Sequence, residues 1–185
     1  MKKILIMSAA CMLLLACNNE KKDDTKTGET TVSSADGKTP QQSEFADPKY
    51  ADWGKKMIAS MAAGDIDGWM AGYADNAVYQ WSAGDSLAGK EAISKYWKER
   101  RANVIDSISF SNDIWLPIKV NTPQKGPDVP GVWLLSWYQV NVKYKNGKKL
   151  SFWTHTDHHF DANDKVDRSI QYIDRAPINA AVGGK

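Results

Sequence analysis

All eight tryptophans of this 185-residue chain fall between Trp53 and Trp153, and that confinement dictates where a folded domain can lie. Residues 18–44 hold no aromatic residue and one large aliphatic, Val32. A stretch of Asn, Lys, Asp, Thr, Ser, Gly and Gln cannot bury enough apolar surface to offset the entropy of ordering. It reads as a flexible tether, and a coil of about 27 residues spans on the order of 30 Å root-mean-square. From Asp47 onward the composition supports a core. The expected organisation is a cleaved segment over 1–16, a tether over 17–45, one compact domain over 46–176 and a C-terminal tail over 177–185.

The first segment has its own logic. Lys2 and Lys3 precede an apolar run from Ile4 to Leu15, broken only by Ser8, and Ala16 then precedes Cys17. This is the layout of a secretory signal peptide. The run is too short to span a bilayer, which needs about 20 apolar residues. Leu14-Leu15-Ala16-Cys17 resembles the bacterial lipobox, which implies cleavage before Cys17 and lipidation of that cysteine. The expected location is then a bacterial membrane, the outer membrane first, facing the periplasm or the cell surface. Lys22-Asp23-Asp24 resembles the export signal of Bacteroidetes surface lipoproteins. Cys11 and Cys17 are the only cysteines, so the domain has no disulfide framework and no thiol nucleophile. Without Lys2 and Lys3, 22 of the 24 basic residues remain against 22 acidic ones. There is no basic stripe for nucleic acid and no polybasic patch for a membrane surface, and no cofactor is expected.

Helices come first along the domain. Asp47-Pro48 is a helix start, and Tyr50, Trp53, Met57 and Met61 recur at helical spacing until Gly64. A second, shorter helix carries Trp69, Met70 and Tyr73. Val78–Trp81 reads as a short strand, 82–89 as a loop, and Lys90–Arg101 as an amphipathic helix with Ala92, Ile93, Tyr96 and Trp97 inward. The period then changes to two. Strands are expected over 105–111 and 114–120, continuous or bulged near Asn112, and over 132–144, 150–160 and 166–175. Asn146-Gly147 is a hairpin turn signal. Helices followed by antiparallel strands argue an α+β domain with helices on one face of a curved sheet.

Three segments resemble the NTF2-like superfamily, which includes SnoaL-like polyketide cyclases and ketosteroid isomerases. They are Gly64-Asp65-Ile66-Asp67-Gly68 continuing through Tyr73 to Val78, Gly89-Lys90-Glu91-Ala92-Ile93 with Tyr96-Trp97, and Phe160 to Val166 ending in Gln171-Tyr172-Ile173-Asp174. The resemblance implies an α+β cone, with N-terminal helices closing a strongly curved, mostly antiparallel sheet. It does not settle function, because this fold hosts many activities. The positions for an isomerase's tyrosine, base and acid fall on Met57, on Gln80 or Trp81, and on Thr156, so none of the three roles is filled. Asp164 stands where the family usually has glycine, and aspartate tolerates a left-handed backbone better than most residues.

The histidines cluster in Thr154-His155-Thr156-Asp157-His158-His159-Phe160. Alternation puts Thr154, Thr156, His158 and Phe160 on one strand face and His155, Asp157 and His159 on the other. The family register turns the first set inward. On the outer set, His155 and His159 would lie about 13 Å apart, too far for one metal, so no metal site is expected there and His155–Asp157 reads as a surface pair. His158, with Thr156, is the candidate acid/base, against the alternative of a core histidine satisfied by a neighbour. Gly84-Asp85-Ser86-Leu87 spells a hydrolase nucleophile motif but lacks its partner histidine and is rejected.

Register and family analogy select Tyr73, Tyr79, Trp81, Trp97, Trp115, Tyr138 and Tyr172, with Thr156 and His158, as the lining of a cavity for a small apolar or aromatic ligand. Outward Trp133, Trp137 and Trp153 would suit a homodimer through the sheet. Three readings therefore stand: a lipid-anchored ligand-binding domain, a SnoaL-like enzyme using His158, and a protein-interaction module.

Overall fold

The computed structural model describes residues 41–125 and 129–183. The segment 1–16, Cys17 and the tether as far as residue 40 lie outside the described residues, where the expectations above stand untouched. Eleven elements follow in order: β1 (Ser43–Phe45), α1 (Lys49–Ala63), α2 (Ile66–Met70), β2 (Tyr73–Trp81), β3 (Ser86–Ala88), α3 (Lys90–Asn103), β4 (Ile105–Val120), β5 (Gly131–Tyr144), β6 (Lys149–Phe160), β7 (Val166–Tyr172) and α4 (Ala176–Val182). The seven strands form one sheet in the order β1-β4-β5-β6-β7-β2-β3. Every neighbouring pair is antiparallel except β2–β7. The α+β cone is the observed architecture. Among the described residues, no helix is long and apolar enough to cross a membrane.

The sequence explains how each helix closes the cone. On α1, Tyr50, Gly54, Met57 and Met61 are buried at spacings of three and four, the stripe expected of a helix lying on a core. Gly54 is the point of closest approach: a Cβ there would sit 2.4 Å from the Trp115 ring and 2.9 Å from Leu134. The helix ends at Gly64, whose φ of 79° lets its N–H return to Ser60 and Met61 carbonyls. Asp65 then caps α2 by accepting from the Gly68 N–H.

The curvature comes from breaks in register. Asn112 has φ of 55° and the β4–β5 register shifts between Ser111 and Ile114, so the bulge expected near Asn112 is present. Gly147, at φ 87°, makes the β5–β6 turn as its Asn-Gly signal implies. Asp164, at φ 57°, holds the β6–β7 turn in the left-handed region. Its carboxylate also accepts from the Tyr50 hydroxyl at 2.5 Å and from Lys49 Nζ at 2.7 Å, tying the last hairpin to the start of α1.

Several expectations are corrected. Tyr73 opens β2 rather than lying on the second helix, and β3 occupies part of the supposed loop 82–89, paired to β2. Ser43–Phe45 leave the tether to pair with β4. Residues 177–182 are not a loose tail but most of α4, whose Ala181 is buried while Asn146 and Lys148 donate to its last carbonyls. Ala92 is exposed and Ile93 is the buried residue of α3. Trp133 is buried on the outer face against Val120 and Ile170, donating its indole N–H to the Val129 carbonyl at 3.0 Å.

Candidate functional site

Between the helices and the concave sheet lies an apolar cavity of about 100 Å³. Met57 and Met61 of α1, Trp69 of α2 and Tyr79 of β2 form one wall, and Tyr138 of β5 with Thr156 and His158 of β6 form the opposite one. Ile178 of α4 lines its outer end with Arg100 of α3. The space suits a ring: a dry apolar cavity of about 150 Å³ holds benzene.

Of the nine residues selected for this cavity, five line it: Tyr79, Trp97, Tyr138, Thr156 and His158. The other four are engaged elsewhere. Trp115 lies over Gly54, where the missing side chain of α1 leaves room for its ring. Trp81 donates to Gln171 Oε1 at 3.1 Å and lines a neighbouring cleft under the Arg175 guanidinium. Tyr73 packs edge-on against Trp69 behind the cavity wall. Tyr172 is 40% exposed on the outer face, stacked on His155.

The turning of Tyr172 has a definite cause. Phe160 pairs with Val166 but His159 pairs with Arg168, so Asp167 is an extra residue and the register slips by one. An unbulged hairpin would face Tyr172 inward. With the bulge, Ser169 and Gln171 come to the inner face opposite His158 and Thr156 instead, since a one-residue slip exchanges the two faces. Among the lining residues that sequence reasoning missed are Gln171, Met57, Met61, Arg100 and Ile178, and Gln171, with Ser169 behind His158, was hidden by this slip.

His158 is the centre of the polar chemistry. It is 1% exposed, and its Nδ1 lies 2.8 Å from Ser169 Oγ, which in turn lies 3.2 Å from the Tyr73 hydroxyl. The Tyr73 hydroxyl has no other hydrogen-bond partner among the described residues. If Nδ1 carried the proton, Ser169 would donate to Tyr73 and the phenolic proton would be stranded. When Tyr73 donates to Ser169 and Ser169 donates to Nδ1, the one proton left over is on His158, which lines the cavity, rather than on Tyr73, which does not. That arrangement places the imidazole proton on Nε2, which is buried and has no partner among the described residues. Such a group costs about 1–3 kcal/mol when left unpaired. Burial, and secondly the charge of His155, hold the His158 pKa down to about 3, so the ring is neutral at physiological pH.

Other polar groups are sparse. Tyr138 OH and Thr156 Oγ1 share a hydrogen bond at 3.3 Å, and burial raises the pKa of both Tyr79 and Tyr138. No Asp or Glu is among the residues lining the cavity. Met57 and Thr156 stand on the cavity wall at the vacant isomerase positions, while Gln80 lies on the other strand face from Tyr79 and Trp81.

The outer histidines are committed separately. His155 Nε2 lies 2.8 Å from Asp157 Oδ1, a charge contact rather than an aligned hydrogen bond, and its ring is sandwiched between Trp137 and Tyr172. Burial lowers the His155 pKa, but Asp157 and the Ser136 carbonyl outweigh it and the net shift is upward. His159 turns instead to Asp167 at 2.6 Å and the Pro130 carbonyl at 3.1 Å.

Comparison with known proteins matches this geometry to a fold. Residues 55–116 match the model of the SnoaL-like domain. No curated protein matches the chain by sequence. A candidate isomerase from Bacillus subtilis superposes with a TM-score of 0.57 at 17% identity, over 74% of this chain and 94% of that one. A candidate polyketide cyclase from Pseudomonas putida gives a TM-score of 0.55 at 12% identity, over 70% and 95% of the two chains. TerC, co-crystallised with polyporic acid, gives 0.53 at 11% identity, over 72% and 98%. The described residues therefore carry the NTF2-like fold, with a SnoaL-like domain match over residues 55–116.

Proposed function

We propose that this domain binds a small ring-sized, largely apolar molecule bearing a hydrogen-bond acceptor. The observation that carries the reading is the buried, unpartnered Nε2 of His158 in an otherwise apolar cavity. A ligand acceptor would pair with this donor, and the surrounding aromatic and aliphatic walls would take its body. TerC, which shares the fold, was co-crystallised with polyporic acid, a precedent for a small-molecule ligand in this fold.

Binding accounts for the site better than proton transfer. Charging His158 inside the fold costs on the order of 5 kcal/mol more than in water, since its pKa is lowered from 6.5 to about 3. A general acid or base works best with a pKa near the working pH, and no second titratable group able to exchange protons at neutral pH faces it. Isothermal titration of the full chain with acetophenone and with ethylbenzene tests the reading. The ketone binds more tightly, and His158→Leu abolishes the difference. Absence of millimolar binding by either compound overturns it.

The sequence string around Cys17 supports placing this domain on a bacterial membrane. Intact mass spectrometry of the membrane fraction checks this: diacylglyceryl-cysteine at position 17 is expected, and Cys17→Ser releases the protein.

A second reading rests on the outer sheet face, where Trp153 is 54% and Ile114 55% exposed beside half-exposed Tyr172. Such a patch is an aggregation liability unless covered, and we propose that a second copy covers it. Sedimentation velocity would then give a dimer that Trp153→Glu dissociates, and a monomer at all concentrations refutes it.

A further inference from the structure

The outer end of the cavity is electrically lopsided. Trp97 and Arg100 are three residues apart on α3, so their side chains share one face of the helix. Both line the apolar cavity, and both also line an adjoining cleft of about 260 Å³. Ile173 and Ile178 are likewise common to the two spaces, which makes these four residues the rim between an apolar interior and the outside.

Two guanidiniums stand at this cleft, and their circumstances differ. Arg175 lies over the Trp81 ring and is held by Asp85 through contacts of 2.7 and 2.6 Å, so its charge is matched. Arg100 lies over the Tyr96 ring at 5.6 Å, and no carboxylate comes within ion-pair distance among the described residues. Neither the cavity nor the cleft has an Asp or Glu in its lining. Beside Arg100, Trp97 Nε1 is a buried donor with no partner among the described residues. An indole N–H can only donate. The rim therefore offers a cation and a neutral donor with nothing to receive them.

We infer that the ligand is a small carboxylic acid, whose largely apolar ring enters the cavity with the acceptor for His158 and whose carboxylate stays at the rim on Arg100 and Trp97. This rests on the ligand-binding reading above and specifies its substrate class. A planar carboxylate suits the guanidinium fork, with its second oxygen free to accept from the indole. The carboxylate keeps contact with solvent at the rim, so its charge need not be fully desolvated. Such a ligand also explains why a rim cation persists at the mouth of an apolar cavity.

The test uses the full chain and three acids, benzoate, phenylacetate and 3-phenylpropionate, each titrated against its primary amide. The amides keep shape and acceptor but lose charge. At least one acid binds about tenfold or more tightly than its amide, the ratio expected of a charge-assisted bond. Arg100→Gln brings that ratio to near one by weakening the acid more than the amide, while Arg100→Lys retains part of it. Amides that bind as well as their acids overturn the carboxylate inference and leave the ligand-binding reading intact. A ratio that survives Arg100→Gln also overturns it. If no acid and no amide binds, both readings fall together.

Discussion

His158 Nδ1 lies 2.8 Å from Ser169 Oγ, a contact between neighbouring strands that determines which imidazole nitrogen is left for the cavity. The binding reading requires Tyr73 to donate into Ser169, so that the ring proton sits on Nε2. The consequences can be measured one residue at a time.

Ser169→Ala removes the middle of this chain and leaves the Tyr73 hydroxyl and His158 Nδ1 both unpaired. A loss of about 1–3 kcal/mol is expected, because both groups are buried. Nitrogen-15 chemical shifts of the His158 ring report the Nε2–H tautomer in the native chain and a changed population in the variant. Denaturant unfolding measures the energy.

The pH dependence of stability has a definite sign. The His158 pKa falls from 6.5 unfolded to about 3 folded. As pH drops below 6.5 the unfolded chain takes up a proton that the folded chain refuses, so stability declines from pH 6.5 toward pH 3 and this contribution is flat above. His155 works the other way: its raised pKa contributes stability that is complete below pH 6.5 and lost as pH rises through the folded value. Thermal unfolding between about pH 5 and 6.5 samples the first effect above the range in which Asp85, Asp106, Asp161 and Asp164, all with lowered pKa, add a slope of the same sign. His158→Gln flattens the slope there, and an unchanged slope refutes the assignment.

Asp164 sets two local energies against each other. A non-glycine residue in the left-handed region costs roughly 1–2 kcal/mol, while its carboxylate holds Tyr50 and Lys49. Asp164→Gly relieves the backbone and loses the bonds, so the net change stays within about 1 kcal/mol. Asp164→Ala loses both and is the less stable of the two variants by about 1 kcal/mol. Chemical denaturation ranks them.

Helix α4 closes the outer end of the cavity through Ile178, which is half-buried. Ile178→Ala lowers stability by about 1–2 kcal/mol, less than for a fully buried position. It also opens the rim, so ligand dissociation quickens while the preference for acceptor-bearing ligands remains. Stopped-flow displacement separates these effects. An unchanged dissociation rate would show that α4 does not gate entry.

Much of the fold is legible from local chemistry. The stripe on α1, the Asn-Gly turn, the bulge near Asn112 and the left-handed Asp164 each follow from residue types acting on their own stretch of backbone. The long-range placements do not. The loop expected at 82–89 holds β3 and the tail expected at 177–185 holds most of α4, because such short segments take their conformation from the surfaces they meet. Trp115 left the cavity because Gly54, 61 positions earlier, makes a berth for its ring.

The alternation of β6 separated Thr156 and His158 from His155 and Asp157, since strand periodicity is a property of the chain alone, and the family register turned the first pair inward. Composition likewise marked where the domain begins, and the family resemblance put residues without the required groups at the isomerase positions. What the chain could not disclose was the extra residue at Asp167. That bulge turned Tyr172 out and brought Ser169 against His158, which leaves Nε2 as the ring nitrogen without a partner among the described residues. The physical reason is that a bulge is a choice of pairing between two strands, and its energy resides in contacts that neither strand possesses until they meet.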